Sequence, residues 1–377
     1  MSRVAIMSNS KTSITHPRPE LIESLKSTVG NVYVGLVNDG EVNDYYKLND
    51  IKVISIDANR NNINPIKEII SLINICNNLK EYNINSVIIY GVKNHISMTL
   101  GAKLAGVKNV MCVINGRGNL FVLKGIKWGL VRFMSFPMLK LAYTLADSIC
   151  FQNNDDLQLF KDNRLVKGEF KTFTTHGSGV NLEKFPKTEI VSDDSFLFLS
   201  RITKSKGLEE YINAARIVKN NYPDATFNIV GPIDNTVEKS GLNDILQKAV
   251  KEDIVTYHGE TQQVSHYIAK SRYFIYPSYY PEGVPRSTLQ ALAIGRPVIT
   301  CNTPGCKETV INNVNGFIVE KKNEVQLAKK MIWMIKHPNE VNMMAEESRR
   351  LAVEKFDVNK INKQLIEELL THGESND

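Results

Sequence analysis

Short apolar segments rich in β-branched residues alternate with longer helix-like segments along almost the whole chain of 377 residues. The predicted strands of the first half are Val4–Met7, Val32–Leu36, Val53–Ile56, Ser86–Tyr90, Val110–Ile114 and Ser148–Phe151. Those of the second half are Phe196–Ser200, Thr226–Val230, Val255–His258, Tyr273–Tyr276, Val298–Thr300 and Phe317–Val319. Repeated strand–helix alternation predicts parallel sheets with helices on both faces, and the chain is long enough for two such α/β domains.

A stretch with several glycines, a proline and flanking charges, residues 168–187, separates the two series of predicted strands. Such a composition is typical of a boundary between domains. We therefore predict a first domain over residues 1–172 and a second domain over residues 173–355. The last part of the chain, residues 356–377, contains a helix-like apolar pattern at Val358–Leu370.

The composition is typical of a globular protein of the cytoplasm. Hydrophobic residues make up 42% of the chain and charged residues 23%, which are ordinary values for globular domains. The apolar start at Val4–Met7 is too short for a signal peptide, and no stretch reaches the ~20 apolar residues that a membrane span requires. The five cysteines are scattered without metal-ligand spacing, so we expect them to be reduced thiols.

One region of the first half is strongly basic, because residues 82–146 contain eight lysines and arginines but no Asp or Glu. Within it, residues 120–146 combine basic and aromatic side chains, and Pro137 is expected to divide this segment into two short helices. Such helices suit an anionic membrane surface, so we predict a peripheral position on the inner face of the cytoplasmic membrane. The alternative is an ordinary core helix whose lysines reach solvent. No DNA- or RNA-binding motif is present, so we expect no nucleic-acid partner.

The segment Pro277–Thr300 has the pattern of a strand end, a tight turn, a helix and a new strand. Glu282 lies in the turn, Pro285 suits the first turn of a helix, and Gly295 suits its end. In a parallel α/β sheet this arrangement brings polar side chains and free helix N–H groups to the carboxyl edge, where nucleotides and phosphates bind. On its own, Glu282 also fits the simpler description of an acid favoured by the helix dipole.

A second polar turn, Ser200–Gly207, follows the first predicted strand of the second half. Arg201 can hydrogen-bond phosphate oxygens in a fork, Lys206 adds a point charge, and Gly207 permits close backbone approach. Alone, an arginine and a lysine before a helix would more often form a solvated face. Their combination with Glu282 at another strand–helix turn favours a phosphate site.

The two turns together resemble the donor-sugar site of retaining glycosyltransferases of sequence family four. The family motif Arg-x-x-x-x-Lys-Gly matches Arg201–Gly207, and the motifs Pro-Ser, Glu-Gly-Phe/Val-Pro and Ala-x-Ala-x-Gly-x-Pro-Val match within Pro277–Thr300. The resemblance implies an α/β fold of the GT-B type. In that fold two Rossmann-like domains have parallel sheets facing across a cleft, and the C-terminal helix crosses back to the first domain.

The resemblance also implies roles for individual residues. The candidate catalytic residues are Glu282 at the donor sugar, Arg201 and Lys206 at the diphosphate, and a first-domain histidine, His95. The candidate nucleotide-binding residues are Arg201, Lys206, Gly207, Gly283, Val284 and Gln290. Gln290 stands where the family has a second glutamate that holds the ribose hydroxyls, so we expect retained donor binding with altered hydroxyl contacts.

Three turns of the first half, Tyr90–Ser97, Ile114–Gly118 and Phe151–Asp156, resemble a bacterial subgroup that builds lipid-linked oligosaccharides. We therefore predict a retaining enzyme that moves a hexose or N-acetylhexosamine, with GalNAc or Gal as leading choices, from a UDP-sugar to a polyprenyl-diphosphate-linked saccharide. The setting would be bacterial surface polysaccharide or glycan assembly. No Asp-x-Asp motif lies at a strand end, so we expect neither a cofactor nor a metal. The polar loop Ser8–His16 follows the first predicted strand, where the resemblance implies the loop that contacts the acceptor or a phosphate.

Three rival functions remain open from the sequence. Gln290 leaves room for a catalytically weak sugar-nucleotide-binding protein. A GT-B UDP-sugar epimerase would need no acceptor, and the basic segment 120–146 argues against it. A phosphorylase would need a pyridoxal-phosphate lysine site, for which the sequence offers no candidate.

Overall fold

The computed structural model describes residues 2–8, 19–37, 46, 49, 51–56, 65–167, 171–234 and 241–371. The chain divides into a first unit, Met1–Ser178 with Val358–Asp377, and a second unit, Gly179–Asp357. The first unit extends beyond residue 172 because Thr172–Thr174 pairs with the strand before it. Of the predicted acceptor loop Ser8–His16, all but Ser8 lies outside the described residues.

Seven parallel strands form the sheet of the first unit, in the order β3-β2-β1-β4-β5-β6-β7. They are β1 (Arg3–Met7), β2 (Asn31–Val37), β3 (Lys52–Ile56), β4 (Ser86–Tyr90), β5 (Asn109–Ile114), β6 (Ser148–Phe151) and β7 (Thr172–Thr174). The described helices before residue 178 are α1 (Pro19–Val29), α2 (Pro65–Glu81), α3 (Asn94–Leu104), α4 (Gly118–Val122), α5 (Ile126–Leu145) and α6 (Asn154–Asp162).

Alternate residues of the central strand β1 pack on opposite faces of this sheet, as strand geometry requires. Val4 and Ile6 join the core that contains α1. Ala5 and Met7 join the core that contains α2 and α3. Both faces of the sheet are therefore covered by helices, and this explains why the strands read as continuous apolar runs.

The second unit contains a six-stranded parallel sheet in the order β10-β9-β8-β11-β12-β13. Its strands are β8 (Ser195–Leu199), β9 (Thr226–Val230), β10 (Thr256–Tyr257), β11 (Tyr273–Tyr276), β12 (Val298–Cys301) and β13 (Gly316–Val319). Its described helices are α7 (Leu208–Lys219), α8 (Leu242–Lys251), α9 (Val264–Ala269), α10 (Arg286–Ile294), α11 (Glu324–Lys336) and α12 (Pro338–Lys355).

Helix α10 begins and ends where the sequence predicts. Pro285 is its N-cap in an extended conformation, and Gly295 follows it with a left-handed φ of 85°, a conformation that glycine adopts without the strain of a Cβ. The helix buries Leu289 and Leu292 in the core of the second unit. Its start is thereby fixed at the carboxyl end of β11.

The last helix, α13 (Val358–Thr371), belongs to the first unit. Leu365, Ile366 and Leu369 are buried in the core on the α1 face of the first sheet, and Gln364 Nε2 donates to the Thr174 carbonyl at 3.5 Å. The chain thus returns to the first unit after completing the second. Two Rossmann-like units with parallel sheets and a returning C-terminal helix confirm the predicted fold class.

The prediction that Pro137 divides the basic segment is wrong, because α5 runs unbroken from Ile126 to Leu145 with Pro137 inside it. Pro137 lies on the exposed side of the helix, as does Phe133 one turn earlier. The carbonyl that loses its N–H partner at Pro137 is that of Phe133. Water can bond a carbonyl on this side, so the helix continues. Within the described residues, no helix is both long enough and apolar enough to span a membrane.

Candidate active site

An ion pair between Lys206 and Glu282 lies at the carboxyl edge of the second sheet. Lys206 ends a short 3-10 turn after β8, and Glu282 lies in the turn between β11 and α10. Since β8 and β11 are hydrogen-bonded neighbours, the two turns meet. Lys206 Nζ is 2.7 Å from Glu282 Oε1 and 2.8 Å from Oε2, so the ammonium faces both carboxylate oxygens.

Two further side chains hold the Glu282 carboxylate. The Tyr276 hydroxyl is 3.0 Å from Oε1, and the Ser278 hydroxyl donates to the same oxygen at 3.1 Å. The Tyr276 hydroxyl also accepts a hydrogen bond from Lys206 Nζ at 2.7 Å. Neither residue was among the predicted site residues. The only sequence signal for Tyr276 is a hydroxyl-bearing side chain at the last position of an otherwise apolar strand.

Gly207 brings the two turns into close contact. A Cβ atom at this position would lie 2.3 Å from the Pro277 carbonyl oxygen, and the residue has φ of +80°. Tyr279 N donates to the Ser205 carbonyl at 3.0 Å, which ties the same two turns together. Any residue larger than glycine at position 207 would therefore separate Lys206 from Glu282.

Arg201 lies beside this pair along the sheet edge but has a different partner. Its side chain is 67% exposed, and Nη1 is 3.3 Å from Asp234 Oδ2 in the loop after β9. The structure therefore does not bring Arg201 into contact with Glu282. It leaves most of the guanidinium open to solvent at the end of β8.

The start of α10 supplies backbone N–H groups next to Glu282. Gly283 and Val284 are buried in the approach to the helix, and the first turn of any helix has N–H groups without intrahelical partners. Gln290 is the fifth residue of α10, just over one turn from the helix start. It is half-buried, and its side-chain amide forms no hydrogen bond with the described residues. Its amide is thus available to a ligand.

His95 lies in the first unit, where its ring is completely buried in α3. Nε2 is 3.2 Å from the Ile89 carbonyl and Nδ1 is 3.0 Å from the Tyr143 hydroxyl. Nε2 must carry the proton because a carbonyl only accepts. Burial lowers the pKa of His95 to about 4, so the imidazole is neutral at physiological pH. No atom of His95 is open to a donor sugar in this structure, in contrast to the role implied by the family resemblance.

Among the described residues, no three His, Cys, Asp or Glu side chains lie close enough together to hold a metal ion. The anion-binding features of the site are instead the lysine and arginine side chains and the helix start. Such groups bind phosphates and diphosphates in many α/β proteins.

Comparison with known proteins gives a family match within the second unit and a structural match over the whole chain. Residues 181–351, which contain the whole Lys206–Glu282 site, match the family described as glycosyl transferases group 1. The chain resembles a glycosyltransferase structure from Rickettsia africae with a TM-score of 0.82 and 19% identity, covering 100% of this chain and 99% of that one. The family match thus covers most of the second unit, the solved structure supports the GT-B fold, and the protein is a glycosyltransferase.

Two curated relatives match most of the chain. One is the N,N'-diacetylbacillosaminyl-diphospho-undecaprenol alpha-1,3-N-acetylgalactosaminyltransferase of Campylobacter jejuni, 26% identical over 87% of this chain and 88% of the relative. The other is the UDP-Gal:alpha-D-GlcNAc-diphosphoundecaprenol alpha-1,3-galactosyltransferase of Escherichia coli, 25% identical over 85% of this chain and 83% of the relative.

Proposed function

We propose that this protein is a retaining glycosyltransferase that moves GalNAc or Gal from a UDP-sugar to a polyprenyl-diphosphate-linked saccharide in bacterial glycan assembly. Both curated relatives are named for transfer of one of these sugars to an undecaprenyl-diphosphate-linked sugar. Their similarity extends over both units of the chain, so it includes the first unit as well as the nucleotide-sugar domain.

The observation that carries the proposal is the Lys206–Glu282 pair at the start of α10. Breaking the bond between a sugar and a nucleoside diphosphate places negative charge on the leaving phosphate oxygens. Lys206, the exposed Arg201 and the free N–H groups of α10 are the groups that stabilise this charge. Because these groups supply positive charge themselves, we propose that the reaction needs no metal ion.

Glu282 provides the complementary negative charge. As the glycosidic bond breaks, positive charge develops on the sugar ring, and a carboxylate beside the ring favours that state. In a retaining reaction with attack on the same face, the leaving phosphate oxygen takes the proton of the acceptor hydroxyl. No second carboxylate is then needed as a covalent nucleophile.

Gln290 is proposed to hold the ribose hydroxyls of the nucleotide. Its amide has both an acceptor oxygen and N–H groups, and it has no hydrogen-bond partner among the described residues. The contact would be neutral, whereas a glutamate at this position would form a charged hydrogen bond. Binding of UDP is therefore retained with a weaker ribose contact.

We further propose that α5 docks on the membrane that carries the lipid-linked acceptor. Large apolar side chains form an exposed stripe along this helix, here called the apolar stripe: Ile126, Leu130, Phe133, Met134, Met138, Leu141 and Leu145. The helix buries only Leu139, Ala142 and Tyr143. Exposed apolar patches of this kind mark interaction surfaces.

The charge around the apolar stripe favours a lipid surface as its partner. Lys124, Lys127 and Lys140 are exposed and form no ion pair with the described residues. Each lysine near an anionic membrane contributes about 1 kcal/mol. Unlike these lysines, Arg132 has partners within the protein. Its Nη1 donates to the Leu120 and Leu123 carbonyls and so fixes α4 against α5.

The test of the reaction is release of UDP from a panel of UDP-sugars, with and without a GlcNAc-diphosphate-lipid acceptor. We expect release that requires the acceptor, with UDP-GalNAc or UDP-Gal as the best substrate, and a product whose new bond has the α configuration by NMR. Binding of UDP without release would indicate the weak sugar-nucleotide binder. Conversion of one UDP-sugar into another without acceptor would indicate the epimerase.

A further inference from the structure

Tyr276 occupies an unusual place between the two charged groups of the site. It is the last residue of β11 and is almost completely buried. Its hydroxyl oxygen is 2.7 Å from Lys206 Nζ and 3.0 Å from Glu282 Oε1. Lys206, Glu282 and the neutral Tyr276 hydroxyl thus each contact the other two groups.

The chemistry of the three groups fixes the direction of each hydrogen bond. An ammonium group only donates and a carboxylate only accepts. The phenol therefore accepts a hydrogen bond from Lys206 and donates its O–H to Glu282. Burial, followed by the charge of Glu282, raises the pKa of Tyr276 well above its usual value. The hydroxyl consequently keeps its proton, and this arrangement persists at every physiological pH.

We propose that Tyr276 is a positioning residue for glycosyl transfer, which holds Lys206 and Glu282 in the arrangement that receives the sugar diphosphate. Lysine has a long flexible side chain, and ordering it costs about 2 kcal/mol of rotamer entropy. Glu282 lies in the turn between β11 and α10, outside the strands of the sheet. Of the three residues, only Tyr276 is part of a sheet, and its backbone carbonyl is also bonded by Thr300 Oγ1 at 2.8 Å.

The inference rests on the proposed function and gives Tyr276 a defined part in it. When a diphosphate accepts a hydrogen bond from Lys206, the lysine must give up one of its present hydrogen bonds. Breaking the bond to the neutral phenol costs less free energy than breaking a bond to the charged carboxylate. The phenol keeps its proton and continues to donate a hydrogen bond to Glu282 throughout. Tyr276 therefore allows Lys206 to turn towards the diphosphate while Glu282 keeps its orientation.

The test is the variant Tyr276→Phe, which removes only the hydroxyl. Because hydrogen bonds to two charged groups are lost, we expect kcat/KM for the UDP-sugar to fall roughly tenfold, mainly in kcat. The matched control is Tyr273→Phe at the opposite end of β11, where the hydroxyl donates to Asp194 at 2.8 Å. The control also loses a buried hydroxyl, and we expect its kcat/KM to stay within about twofold of the wild-type value.

A double-mutant comparison separates positioning from general stability. In a Glu282→Gln background, Tyr276→Phe is expected to change the remaining activity by no more than about twofold, because the main partner of the hydroxyl is already altered. The same tenfold loss in both backgrounds would overturn the proposal, as would full activity of Tyr276→Phe.

Crystal structures of the wild type and Tyr276→Phe test the inference without any turnover. We expect the Lys206 ammonium or the Glu282 carboxylate to move by about 1 Å or more in the variant, since each loses one of its anchors. An ion pair unchanged from 2.7 Å would contradict the positioning role. A wild-type protein that turns over no UDP-sugar would refute the proposed function, and these structures would still decide the role of Tyr276.

Discussion

Lys206 directs its ammonium at three oxygens of two side chains, the Tyr276 hydroxyl and both oxygens of Glu282. A diphosphate that binds at this edge of the sheet must take over at least one of these contacts. Most of the Arg201 guanidinium is open to solvent beside its 3.3 Å contact with Asp234. Under the proposed function, the two cations of the site would therefore have different tasks at the scale of single residues: Arg201 would capture the diphosphate, and Lys206 would respond once it is bound.

His95 gives a prediction about pH and stability. Its pKa is lowered to about 4 by burial, whereas an unfolded chain has a histidine pKa of about 6.5. The unfolded state therefore takes up a proton first as the pH falls below 6.5, and the stabilising effect of the neutral ring is lost between pH 6.5 and 4. From pH 7.5 to pH 5 this costs about 2 kcal/mol of unfolding free energy.

The variant His95→Gln removes this titration while keeping a side chain that can both donate and accept. Urea titrations at the two pH values should show that the unfolding free energy falls less in the variant than in the wild type. Equal losses in both proteins would show that His95 is not buried in its neutral form.

At the scale of elements, α5 leaves more large apolar side chains exposed than any other described helix, although α2 also exposes Ile69, Ile70 and Ile73. An ordinary surface helix turns its apolar side inward and its charged side to solvent, but α5 has apolar side chains on both sides. Phe133 is 79% exposed. Under the proposed membrane docking, an anionic bilayer would cover the apolar stripe with its apolar interior and attract the neighbouring lysines with its negative surface.

Vesicle binding tests the apolar stripe. We expect the protein to sediment with phosphatidylglycerol vesicles and not with phosphatidylcholine vesicles, and less at high salt because the lysines are screened. Phe133→Ser with Met134→Ser should weaken binding by about tenfold or more, since each apolar side chain contributes on the order of 1 kcal/mol or more when it leaves water.

The matched control is Met343→Ser in α12, since Met343 is 69% exposed and Met134 is 63% exposed. This single change should leave vesicle binding as it is in the wild type, whereas Met134→Ser alone should reduce it. Equal vesicle binding by Met134→Ser and Met343→Ser would contradict the proposed membrane role of the apolar stripe.

At the scale of the whole molecule, the sequence predicts the two sheets well because apolar strands buried on both faces are easy to recognise. Strands β4, β6, β9 and β11 have the predicted bounds. The short strand β7 was not predicted, since three residues of Thr-Phe-Thr lack a distinctive pattern. The continuity of α5 depends on which side of the helix Pro137 occupies, and a sequence does not reveal that before the packing is known.

In the candidate site, too, local sequence motifs predict some features, whereas others depend on packing between distant segments. Lys206 and Glu282 were predicted as site residues because both follow strands at recognisable turns, and the structure brings these two side chains together. The exclusion of His95 from any surface depends on Tyr143, which is 48 residues away along the chain. Tyr276 was not identified because its neighbours make it resemble a core residue. Contacts between distant segments decide both cases, and a motif contains no information about them.

The most direct test of the account is acceptor-dependent UDP release by Glu282→Gln compared with Glu308→Gln. Both glutamates belong to the second unit, each has a lysine partner, and their side chains are 20% and 21% exposed. We expect Glu282→Gln to lower kcat by about a hundredfold or more, because a charge favoured only in the transition state is lost. Glu308→Gln should keep kcat within about threefold of the wild type, since the lysine partner of Glu308 is Lys355 and not Lys206. Equal activity of the two variants would contradict the claim that the Lys206–Glu282 pair is the centre of the reaction.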